Sequence, residues 1–127
     1  MTLHYTQMID MCNEIAQGKL SGITLQYTQD GFRVFSPLYG YAYSTIQGNQ
    51  QIPPQEFSLD VLDKMNLCDG DLIGMWLNTR DNTVSVTFTN YTHNELEAQQ
   101  YCVNTKQVGY YSFSDNKTIY MSHELDM

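Results

Sequence analysis

Leu72-Ile73-Gly74-Met75-Trp76-Leu77, a polar break at Thr79-Arg80-Asp81-Asn82, and then Thr83-Val84-Ser85-Val86-Thr87-Phe88-Thr89 form the clearest hairpin in this chain. The first run is almost continuously apolar, the pattern of a central strand covered on both faces. The second alternates with period two, so Val84, Val86 and Phe88 are expected on the core side and Ser85, Thr87 and Thr89 on the solvent side. The break between them is rich in turn-forming residues. Together they make an antiparallel sheet the frame of the fold. Trp76 lies in the more apolar strand and is expected in the core, where truncation to Ala costs about 3–5 kcal/mol.

Upstream, the same period recurs. Ile23, Leu25 and Tyr27 alternate with Thr24, Gln26 and Thr28, and Asp30-Gly31 supplies a tight turn into a partner strand from Phe32 to Ser36. A third strand is expected from Tyr41 to Gln47, with Tyr41, Tyr43 and Thr45 on one face. Pro53-Pro54 marks a loop, because neither residue can donate to a ladder. Before the first strand the period changes to that of a helix. Tyr5, Met8, Ile9, Cys12, Ile15 and Ala16 make one apolar stripe, with Thr2 as the expected N-cap and Gly18 as the stop. A second helix is expected from Ser58 through Asn66, with Leu59, Leu62 and Met65 facing inward, ended by Asp69-Gly70.

Downstream, Thr92-His93-Asn94-Glu95 matches a capping box and predicts a helix over roughly residues 93–103 that buries Leu96 and Val103, with Cys102 alongside. A last hairpin follows: Val108 to Phe113, a turn at Ser114-Asp115-Asn116-Lys117, and Thr118 to Met121. Glu124 and Asp126 make an acidic tail. Residues 1–127 thus read as one α+β domain. Its mainly antiparallel sheet has about six to seven strands built from hairpins, with two to three helices packed on one face.

Composition limits the chemistry. Fourteen Asp and Glu against six Lys and Arg give a formal net charge of −8. That sign disfavours nucleic-acid backbones, which bind through cationic side chains, and favours basic protein surfaces. The aromatic set is dominated by ten tyrosines, a residue type used both in cores and at contact faces. No stretch reaches the length of a membrane span, and no basic-then-apolar leader opens the chain. Cys12, Cys68 and Cys102 are widely spaced, so free buried thiols are expected in a cytoplasmic protein.

The familiar catalytic signatures are missing. No phosphate-binding glycine loop, nucleophile elbow or metalloprotease helix occurs. His93-Asn94-Glu95 begins a zinc-deaminase signature whose cysteine half is not present, which leaves the helix-start reading. Asp69-Gly70-Asp71 is a local carboxylate pair and also a turn composition. No cofactor and no metal site is expected.

Two function classes fit these residues. The first is a small acidic binding protein that inhibits a basic partner by occlusion, in the manner of immunity proteins and phage-encoded anti-defence inhibitors. The partner would be a nuclease or another nucleic-acid-processing enzyme. Contact is expected from the carboxylates Glu56, Asp60, Asp63, Asp69 and Asp71, with Tyr39, Tyr41 and Tyr43 as aromatic contact residues. Neither direct nucleic-acid binding nor a membrane partner is expected, and the oligomeric state stays open. The alternative is a protein that binds or sequesters a small molecule, with the rings around Tyr39, Tyr41 and Tyr43 lining a pocket on the sheet. An enzyme assembled from scattered residues such as His93 and Asp71 ranks below both.

Overall fold

Period-two alternation becomes an antiparallel sheet in the computed structural model, which describes residues 2–45, 50–78 and 81–121. The central hairpin consists of β5 (Leu72–Asn78) and β6 (Thr83–Thr92), paired from Leu72↔Thr89 to Asn78↔Thr83. Asn82, at φ 56°, closes its turn, and the Thr83 hydroxyl donates to Asp81 Oδ1 at 2.7 Å. Strand β1 (Gly22–Thr28) lies on the other edge of β5, and β2 (Gly31–Val34) returns beside β1 through the Asp30-Gly31 turn. Strand β3 (Tyr41–Ser44) pairs with the end of β6, and β4 (Gln50–Ile52) pairs with its start. The closing hairpin is β7 (Gly109–Ser112) and β8 (Lys117–Tyr120), joined to β3. Among the described residues this is an eight-stranded sheet, ordered β2-β1-β5-β6-β3-β7-β8, with β4 also on β6. The α+β architecture read from the sequence is the one observed. Ile46 and Gln47 of the expected third strand, Thr79 and Arg80 of the central turn, and the tail with Glu124 and Asp126 lie outside the described residues.

Helices cover one face. The register turns Leu25, Ile73, Met75, Val84 and Val86 to the same side, and all are nearly inaccessible. Helix α1 (Tyr5–Ala16) lays Met8, Cys12 and Ile15 on them, joined by Val61, Leu62 and Met65 from the segment between β4 and β5. Farther along that face, α3 (Glu95–Thr105) sets Ala98 and Cys102 against Tyr43 and Tyr110 in a second core.

Several local expectations change. The N-cap of α1 is His4 instead of Thr2, with the His4 N–H donating to Gln7 Oε1 at 2.7 Å. The second helix shrinks to α2 (Asp60–Asp63), preceded by a 3₁₀ turn at Pro54–Glu56; the Ser58 hydroxyl still accepts from the Asp60 N–H at 3.3 Å. Helix α3 is capped by Asn94, whose Oδ1 accepts from the Leu96 N–H. As the helix docks, Ala98, Tyr101, Cys102 and Thr105 face the sheet, and Leu96 and Val103 are left more than half exposed. Small residues won because the helix lies close over two tyrosines. Cys68 is exposed, whereas Cys12 and Cys102 are buried and all three are free.

Only one face of β5 is packed by helices. Ile73 and Met75 are buried on it, but Gly74 and Trp76 point the other way and are half-buried. Trp76 is therefore not a core residue. Ser85 and Thr87, expected toward solvent, are 4% exposed. The cause is curvature. In a flat sheet, β2 and β7, five strand steps apart in the order above, would be separated by about 24 Å. Yet Phe35, just after β2, and Phe113, just after β7, hold their ring centroids 5.8 Å apart. The sheet is rolled, and its uncovered face is turned inward on itself.

Two outcomes follow for stability. Ile73→Ala should lower the unfolding free energy by about 2–5 kcal/mol, whereas Trp76→Ala should cost under about 2 kcal/mol, measured by urea unfolding. Burial pushes the Cys12 and Cys102 thiols up from 9.0 to about 11. Burial, reinforced by the carboxylate of Glu95, pushes the Tyr110 hydroxyl from 10.0 up to about 12. Each folded pKa lies above the unfolded one, so this stabilisation is complete below pH 9 and is lost as pH rises through 11 to 12. Alkaline unfolding monitored by circular dichroism checks this, and thiol labelling at neutral pH should modify Cys68 first.

Candidate functional site: a cleft on the uncovered face

Rolling the sheet makes a cleft of about 440 Å³ on the face opposite the helices. Alternation along each strand decides what lines it. From β1 come Gly22 and Thr24, from β5 Gly74 and Trp76, from β6 Thr89, and from β3 Ala42 and Ser44. Strands β7 and β8 add Gly109, Tyr111, Thr118 and Tyr120. The floor is small and the walls are aromatic.

The floor is small because the strands leave no room for more. A Cβ on Gly22 would stand 2.8 Å from the Cβ of Trp76, which crosses over it. A Cβ on Gly74 would stand 2.8 Å from Thr89 Oγ1. Glycine inside a strand marks such a close approach. That Thr89 hydroxyl is the one buried side-chain polar atom without a hydrogen-bond partner among the described residues. Its neighbours are satisfied: Ser44 Oγ and Thr87 Oγ1 pair at 2.9 Å.

One end of the cleft is closed by an aromatic clasp. Phe35 meets Tyr91 edge-on at 5.0 Å, Tyr91 meets Phe113 at 5.8 Å, and Phe113 meets Tyr111 at 5.1 Å. The Tyr91 hydroxyl donates to the Tyr39 carbonyl, and its ring fills the space a side chain at Gly40 would need. Gly40, at φ 100°, is the residue that permits this approach. At the other end the cleft adjoins a smaller recess of about 160 Å³ bordered by Gln51, Asn78, Ser85 and Gln107.

The residues singled out from the sequence fall in three places. Tyr41 and Tyr43 turn to the helix-covered face. Tyr43 borders the cleft, but its hydroxyl donates to Glu97 Oε2 at 2.9 Å and its ring packs on Tyr101. Tyr41 packs edge-on against Tyr110, whose hydroxyl donates to Glu95 Oε2 at 2.8 Å. Burial first, and the Glu97 carboxylate second, raises the Tyr43 hydroxyl above its ordinary value. Tyr39 is 59% exposed with its ring against His93. The cleft rings are thus Phe35, Trp76, Tyr111, Phe113 and Tyr120, and the three expected tyrosines do not converge.

The carboxylates also divide. Asp69 Oδ1 accepts from the Gln29 N–H at 2.9 Å, and Asp71 Oδ2 accepts from the Cys68 N–H at 2.8 Å. The first stitches the β1–β2 turn to the chain entering β5, and the second closes a local turn within that chain. Glu56, Asp60 and Asp63 stand exposed on the segment that covers the first core. His93 packs between Tyr39 and Tyr91, apart from Asp71. Among the described residues there is no group of three His, Cys, Asp or Glu placed to hold a metal ion, and no helix is long and apolar enough to cross a membrane.

Sequence reasoning passed over the cleft because Ser85, Thr87 and Thr89 look like any solvent face. The signal that could have revealed it is glycine at three strand positions, Gly22, Gly74 and Gly109. Compared with protein families, with curated proteins and with solved structures, the chain matches none.

The Thr89 hydroxyl yields a test of its own. Thr89→Val keeps the shape and removes an unsatisfied buried group, so it should raise the unfolding free energy by about 1 kcal/mol in urea denaturation.

Proposed function

We propose that the protein is a binding protein and not an enzyme, and that the uncovered face of its rolled sheet holds a small, largely apolar molecule. The observation that carries this reading is the cleft: about 440 Å³, within the range of about 300–1,000 Å³ used for small ligands, with a small-residue floor and aromatic walls. The clasp of Phe35, Tyr91 and Phe113 supports it, because a site whose walls are fixed before binding spends little free energy on ordering. A few hydroxyls on the floor supply orientation.

A second reading, occlusion of a basic protein partner, draws on a different surface. Glu56, Asp60 and Asp63 are exposed on one short segment, and Asp10 and Glu14 are exposed on α1. Asp69 and Asp71 are engaged in backbone contacts and contribute less to such a surface. For a basic partner such as a nuclease, Asp60→Lys with Asp63→Lys should slow association, and salt should weaken the wild-type complex.

The cleft reading is tested with N-phenylnaphthylamine, an uncharged dye that brightens in apolar surroundings. Fluorescence should rise and saturate at one dye per chain. Thr24→Trp, which fills the cleft from β1 over Gly74, should abolish the rise while leaving the unfolding curve cooperative. A rise that persists in that variant would place the dye elsewhere and remove the cleft as the binding site.

A further inference from the structure

We infer that the cleft selects an uncharged, flat aromatic ligand carrying one hydroxyl or carbonyl group, which Thr89 engages; this rests on the binding reading above. The first support is charge placement. Among the described residues, no Asp or Glu lines the cleft or the recess beside it. Lys117 borders the cleft, but it is exposed and pairs with Ser112, so the strand register turns its side chain to the helix-covered face. Lys106 borders the recess from the exposed C-cap of α3. A charged group entering the cleft would lose hydration with no counter-charge to meet it.

The second support is shape. Gly22 and Gly74 lie on adjacent strands, where the Trp76 side chain crosses over Gly22 and the Thr89 hydroxyl stands over Gly74. A flat floor beside an indole fits a planar ring system, which gains from offset or edge-on contact. An aromatic cage for an ammonium group is the obvious competitor, since such cages bind cations through converging ring faces. Here Phe35, Tyr91, Phe113 and Tyr111 pack edge to face on one another, so each contact takes up one ring face and fewer faces are left to converge on a cation.

The third support is the Thr89 hydroxyl, buried on the cleft face without a partner. A threonine oxygen can donate or accept and reaches different neighbours through its χ1 rotamers. A ligand hydroxyl or carbonyl satisfies it.

The test uses the full chain with 5-fluorotryptophan at its one tryptophan, Trp76, so that fluorine NMR shows a single resonance on the cleft wall. Naphthylmethanol, naphthylmethylammonium and methylnaphthalene share one ring and differ only in the polar group. The alcohol should shift the resonance saturably, and the ammonium should bind at least about tenfold more weakly. Thr89→Val should weaken the alcohol about three- to tenfold while leaving methylnaphthalene unchanged. No shift with the alcohol or with methylnaphthalene would remove the binding reading itself. An ammonium that binds as tightly as the alcohol would overturn the ligand class and leave the binding reading standing. Equal loss of alcohol and methylnaphthalene in Thr89→Val would overturn the role given to Thr89.

Discussion

The pairing of β5 with β6 in one register, Ile73 opposite Phe88 and Met75 opposite Val86, is the constraint on which the remaining structure depends. Side chains alternate along a strand, so a slip by one residue would exchange the two faces of both strands. In the observed register Ile73, Met75, Leu77, Val84, Val86 and Phe88 turn to the helices, and Leu72 falls on the opposite face. Glycine, tryptophan and hydroxyl residues turn to the cleft. Strand β6 then passes this ordering on, since β3 and β4 both pair with it and inherit its two faces.

The two faces are finished by different physics. Aliphatic burial under α1, α2 and α3 stabilises the covered face without directional contacts. The uncovered face is held in its rolled shape by specific geometry. Rings from distant strands meet edge-on, a tyrosine hydroxyl reaches the Tyr39 carbonyl, and glycines permit backbone and side chain to approach closely. Charge follows the same division. Exposed carboxylates decorate the elements that cover the first core, and none lines the cleft among the described residues.

Much of this was legible in the sequence, for a physical reason. Hairpins are local, and their turns and alternation lie within a few residues of each other. The Asp30-Gly31 turn, the closing hairpin and the stripe of α1 could all be read directly. What could not be read was set by contacts between distant segments. The rolling of the sheet depends on Phe35 meeting Tyr91 and Phe113, and no local pattern announces it. Ser85 and Thr87 were therefore expected at the surface and Trp76 in the core. The buried face of α3 was not legible because it is set by docking of Ala98 and Cys102 on Tyr43 and Tyr110, residues far away in sequence or across a turn. Tyr41 and Tyr43 show the same limit. Their shared face was legible, but which layer that face met depended on where α3 docked.

Quenching of the Trp76 fluorescence by acrylamide distinguishes an open cleft on the inner face of the rolled sheet from a closed core. Acrylamide is small and uncharged, so the acidic surface of the protein does not bias its approach. Trp76 should be quenched in the folded protein at a rate that is a substantial fraction of the rate in urea. A folded-state slope near zero would mean that Trp76 is sealed in a core, and would contradict the cleft.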